Sequence, residues 1–152
     1  MMYMKIEIKD DLIIVYLINR FYDNLERKEL ILSIKEIFIR LIEYYHFDLK
    51  GCFECTLYEN IKYGTIMEIK NQDELLFPRD LIDIRVKLYK NSKFYFKTDD
   101  FFIINKYQNI YYDKEDYYID IKDIDNILNI IEFGDILYKK KDNYLKSMKL
   151  IK

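Results

Sequence analysis

Apolar residues recur along this chain in two rhythms, and the longest run of either is helical. Between residues 23 and 46, Leu30, Ile34, Phe38, Leu41 and Tyr45 return at intervals of three and four, widened by Ile31, Ile37 and Ile42. Lys28, Glu29, Lys35, Glu36, Arg40 and Glu43 fall mostly on the other side. Asp23 with Glu26 three residues on resembles a capping box, so the pattern predicts a helix over 23–46 that stops before Gly51. So wide an apolar face needs a sheet to cover it.

Nearly everything else alternates with period two. Residues 4–8 and 12–18, separated by Lys9-Asp10-Asp11, predict a hairpin, or one long bent strand, leading into the helix. Residues 52–59 and 61–70 predict a second hairpin, with a turn near Asn60 and a bulge at Gly64. Stretch 71–80 holds the sole proline, Pro78, and reads as a connector between two halves. After it, 82–89 alternates cleanly, and 93–97, 101–105, 109–112 and 117–121 follow as short strands. Residues 123–133 then predict a short helix ended by Gly134 at the C′ position, with 136–138 as a last strand. The expected fold class is α+β: antiparallel-rich sheets packed on one long helix (23–46) and one short helix (123–133), in two ββαβ-like halves. The expected organisation is a half over 1–70, the connector 71–80, a strand-rich half over 81–138, and a basic tail over 139–152.

Composition changes how the aromatic residues are read. The chain has 26 Ile against two Val and no Ala, and 20 Lys against five Arg, a skew matching AT-rich coding. Its 16 Tyr therefore read first as filling for half-buried strands and not as a binding surface. A net charge of −2 lacks the basic balance of a nucleic-acid binder. The exception is 139–152, with six Lys against one Asp, a local excess of five; it includes Lys139, Lys140 and Lys141. That segment reads as a solvated tail, although Tyr144, Met148 and Ile151 are spaced for a short amphipathic helix. No apolar run approaches the roughly 18 residues of a membrane span, and no secretory signal pattern opens the sequence. Cytoplasmic residence is the expectation.

The inventory of reactive groups argues against most catalysis. Cys52-Phe53-Glu54-Cys55 is a lone C-x-x-C on a predicted strand, where residues three apart point to opposite faces. His46, the single histidine, sits at a helix end and reads as a turn cap. The three Ser are not in a glycine-flanked elbow, and three Gly cannot build a phosphate cradle. Asp113, Glu115, Asp116, Asp120, Asp123 and Asp125 cluster around a turn without the spacing of a calcium loop, and read as a solvated turn or a docking surface for a basic partner. No cofactor or metal is expected.

Two stretches resemble the MecA-type adaptor proteins of low-GC bacteria. One is the order strand, helix, Gly51, hairpin; the other is the tyrosine-rich 111–121 (YYDKEDYYIDI) followed by 126–133 (NILNIIEF), a short helix ending in Glu and an aromatic. That resemblance implies a protein that hands substrates to a Clp-family unfoldase. The family's long acidic linker and extended C-terminus have no counterpart here, so no functional residue is carried over. Together these features favour a non-catalytic protein-binding module whose partner is another protein, with Asp113, Glu115, Asp116, Lys139, Lys140 and Lys141 as candidate contacts, and strand edges such as 93–97 open to a partner strand. The alternative is a nucleic-acid- or surface-associated domain using the lysine-rich tail and exposed aromatic rings.

Overall fold

The computed structural model describes residues 4–18, 27–60, 62–72, 82–121, 128, 130–140 and 143–151. The first alternation closes as expected: β1 (Met4–Lys9) pairs antiparallel with β2 (Leu12–Leu17) across a turn at Asp10-Asp11. The long helix follows as α1 (Arg27–Tyr45). It ends where His46 turns left-handed (φ 58°) and the Phe47 amide donates back to the Leu41 carbonyl at 3.1 Å, satisfying one of the last turn's orphan carbonyls. The expected cap at Asp23 and Glu26 lies outside the described residues.

The second hairpin is β3 (Gly51–Asn60) and β4 (Gly64–Asn71). The Asn60 side-chain oxygen accepts from the Lys62 and Tyr63 amides, at 2.9 and 3.3 Å, and holds the turn. Gly64 stands opposite Asn60 with φ 127°; it opens the strand and makes no bulge. Of the connector, residues 73–80 lie outside the described residues. Next, β5 (Ile82–Tyr89) lies parallel to β3, giving a five-stranded sheet in the order β1-β2-β4-β3-β5.

Strict alternation decides what each face of this sheet meets. Val15, Leu17, Phe53, Cys55, Leu57, Met67, Ile69, Ile84 and Val86 point one way and bury against Leu30, Ile34, Ile37, Phe38 and Leu41 of α1. Phe38 meets Phe53 edge to face at 5.4 Å. Ile14, Tyr16 and Ile66 point the other way, into a second core with Phe94, Phe96, Ile119, Ile121 and Ile136.

That second core belongs to a second five-stranded sheet, formed by β6 (Tyr95–Thr98), β7 (Tyr111–Asp113), β8 (Asp116–Asp120), β9 (Asp135–Leu137) and β10 (Lys149–Leu150) in the order β10-β7-β8-β6-β9. The layers thus run helix, sheet, sheet, and the α+β class with antiparallel-rich sheets stands.

Four further details differ from the sequence reading. Residues 101–105 are not a strand: Asp100 caps a short helix, α2 (Phe101–Ile104), its side chain accepting from the Phe102 amide at 2.9 Å. Four consecutive apolar residues carry no alternation, so the cap decided the local structure. In the expected helix over 123–133, residues 123–127 and 129 lie outside the described residues, and Ile131–Phe133 form a 3-10 turn. The short α-helix among the described residues is α2.

Gly134 is extended (φ 175°) and caps nothing; it is small because a Cβ there would sit 2.3 Å from the Lys97 carbonyl oxygen and 2.8 Å from the Phe96 ring. Finally, the basic segment folds back. Tyr144–Ser147 form a 3-10 turn, β10 pairs with β7, and Leu145 buries with Tyr95 and Tyr118. On the outer face of the second sheet, Tyr95 and Tyr118 are therefore buried, and Tyr111 and Tyr144 partly so.

Candidate functional site

The inner face of the first sheet carries three rows of side chains that run across its strands. Tyr16, Ile66, Tyr58 and Tyr89 form one row, Ile14, Glu68, Thr56 and Lys87 the next, and Leu12, Lys70, Glu54 and Arg85 the third. Polarity rises from row to row. The second sheet covers the apolar end and parts from the first where charge begins. The opening is a groove with two connected stretches, of about 390 and 460 Å³, both lined by Asp10, Leu12, Glu68 and Lys139.

Glu68 is the centre of this groove. Its side chain is 10% exposed, and its Oε2 accepts from the Tyr138 hydroxyl at 2.5 Å and from the Lys139 ammonium at 2.7 Å. A buried carboxylate needs such partners, and here both come from the strand end that leaves β9. Lys139 also lies over the rings of Tyr58 (5.8 Å) and Tyr138 (5.6 Å), so one ammonium serves a carboxylate and two aromatic faces. Tyr58 meets Tyr138 at 4.9 Å and stacks on Tyr89 at 5.3 Å. Beside this knot the Tyr16 hydroxyl donates to Glu7 at 3.0 Å.

These contacts keep the tyrosines protonated. Burial, reinforced by the hydrogen bond to Glu68 and its charge, lifts Tyr138 well above the ordinary phenol range. Burial and then Glu7 lift Tyr16 in the same direction. Tyr58 is pushed up to about 12, by burial first and by Glu68 second.

No family model matches the chain, and no curated protein or solved structure does either.

Among the sequence-derived candidates, Lys139 and Lys140 line the groove, though neither dangles: Lys139 is bound to Glu68 and Lys140 lies 5.0 Å from the Tyr144 ring centre. Lys141 lies outside the described residues. Asp113 and Glu115 are exposed on the β7–β8 turn and do not line the groove. Asp116 pairs with Lys97 at 3.6 Å, and Lys97 lines the groove, so one lysine links the acidic turn to the site. Asp120 pairs with Lys93 at 3.5 Å, while Asp123 and Asp125 lie outside the described residues.

The strand edge expected over 93–97 is not an edge, because β6 is paired on both sides, with β8 and β9. Cys52 and Cys55 are both buried and unbridged, and the Cys52 thiol sits 3.7 Å from an Asp83 carboxylate oxygen. Cys55 faces α1 instead, and burial pushes its thiol up to about 12, far from a reactive thiolate. Neither cysteine nor His46 lines the groove.

Sequence reasoning missed Glu68, Tyr138, Tyr58 and Tyr16 as a group. The signal was present at Glu68, a charge that shares its strand face with the apolar Ile66. What the sequence could not supply was the second sheet lying over that face.

Proposed function

We propose that this chain is a non-catalytic protein-binding module, adaptor-like in its use of surface and not of chemistry, and that the inter-sheet groove receives the partner. The observation that carries this reading is the state of Glu68. The most buried carboxylate of the groove is already committed to Tyr138 and Lys139, while the neighbouring rings are held protonated. A proton-transfer role needs a group free to exchange with a substrate; this one is tied into the scaffold. The rim has what protein interfaces use: stacked Tyr58 and Tyr89, the latter 51% exposed, flanked by charges of both signs.

Charge also weighs against the nucleic-acid alternative. In the stretch beside Tyr89, Lys70, Lys87 and Lys139 face Asp10, Asp11, Glu54 and Glu68, three cations against four anions. A polyphosphate backbone gains little on such a surface. A polypeptide segment carrying both signs suits it better. The described helices include none long and apolar enough to cross a membrane.

The test compares proteins retained from a native lysate by the wild-type chain and by a Lys87→Glu, Tyr89→Ala variant. Both positions are exposed, so the variant keeps its fold. Loss of specific retained proteins from the variant supports the reading. Retention of nothing at micromolar concentration, or the same set by both chains, contradicts it.

A further inference from the structure

We propose that two copies of this chain associate edge to edge through β1, joining their first sheets into one ten-stranded sheet. No described strand pairs along the outer side of β1. Lys9 faces Leu12 across a two-residue turn, which makes that closing pair mutually hydrogen-bonded. Lys5, Glu7 and Lys9 therefore direct their backbone groups at β2, and Met4, Ile6 and Ile8 direct theirs outward. The apolar side of the same strand is incompletely covered: Ile8 is 65% exposed. Between the strand and the end of α1 lies a groove of about 560 Å³, lined by Met4, Lys5, Ile6, Ile8, Tyr45 and Phe47.

Lysines on an edge strand commonly discourage pairing. Here the charges select a register. A two-fold axis perpendicular to the sheet keeps each face against the same face, so opposed residues share parity. With Ile6 opposite its own copy, Met4 lies opposite Ile8 and Lys5 opposite Glu7, twice over. Sliding to either neighbouring register of the same parity centres the pair on Lys5 or on Glu7 and sets like charges against each other.

Glu7 holds Tyr16 through Oε2, so its Oε1 serves the copy's Lys5, and Lys5 then sits between that carboxylate and Glu132 of its own chain. The other edges offer less. The apolar residues Ile84 and Val86 of β5 are already buried under α1, and β9 and β10 are three and two residues long.

Sedimentation of the full chain over a micromolar concentration series tests this. The wild type is expected to pass from monomer to dimer. Lys5→Glu and Glu7→Lys each weaken dimerisation at least about tenfold, and mixing the two variants restores it, because every Lys then meets a Glu. Ile8→Ser, at an exposed position touching neither Glu132 nor Tyr16, weakens it without unfolding the chain. A wild type that stays monomeric throughout, leaving the edge to some other strand, overturns the proposal. So does a mixture that associates no better than its parts. A Lys5→Glu variant tighter than wild type also overturns it, since that outcome belongs to the register centred on Glu7, where position 5 meets Lys9.

Discussion

At the scale of single residues, Gly134 sits where a Cβ would lie 2.3 Å from the Lys97 carbonyl oxygen and 2.8 Å from the Phe96 ring. Gly134 reads as a helix C-cap, yet its φ is extended and its smallness serves the close approach of the Lys97 carbonyl. Gly134→Ala should therefore destabilise the fold by about 1–3 kcal/mol through overpacking against β6. Thermal unfolding checks this; a left-handed cap would instead predict that Asn is tolerated there far better than Ala, and the close approach predicts that Asn is worse. The turn-capping reading of His46 agrees with its left-handed φ of 58° and the returning Phe47 amide. Cys52 and Cys55 fall on opposite faces of β3, as strand parity dictates.

At the scale of elements, period decided nearly everything it was strong enough to decide. The 3.6-residue repeat located α1, and the two-residue repeat located both hairpins of the first sheet. It failed at 101–105, where an unbroken apolar run has no period and an Asp N-cap set the outcome. It also placed Tyr45 on the buried face of α1, where the structure leaves it 47% exposed because the chain leaves the sheet there. Leu41→Ala, at a fully buried position on the same helix, should cost about 2–5 kcal/mol, and Tyr45→Ala within about 0.5 kcal/mol of nothing. Chemical denaturation of the two variants separates them, and equal losses would contradict the packing of α1 described here.

At the scale of the whole molecule, the covering of α1 by a sheet was legible, and the stacking of one sheet on the other was not. Stacking is a relation between faces far apart in sequence, and Ile14, Tyr16 and Ile66 look like ordinary alternation until the second sheet lies on them. The candidate site depends on that relation, which is why only Lys139 and Lys140 of it were marked in advance. The same layering predicts an alkaline limit to stability.

Tyr16, Tyr58, Tyr118 and Tyr138 hold their protons above the ordinary phenol value of about 10 because folding buries them. The unfolded chain releases those protons near that value while the folded chain keeps them. Stability is thus unaffected by these groups below about pH 10 and falls as pH rises beyond it. Tyrosinate absorbance should rise in two waves, the later one coinciding with loss of secondary structure. A single wave near pH 10 with the fold intact would contradict the buried placement.

The proposed binding role rests on Glu68 being a scaffold group that joins the sheets through Tyr138 and Lys139. The most direct measurement is the unfolding free energy of Glu68→Gln against wild type. Loss of the charged partner of Tyr138 and Lys139 predicts a destabilisation of about 1–3 kcal/mol. Unchanged or increased stability, the behaviour of a reactive group kept at the fold's expense, would contradict it.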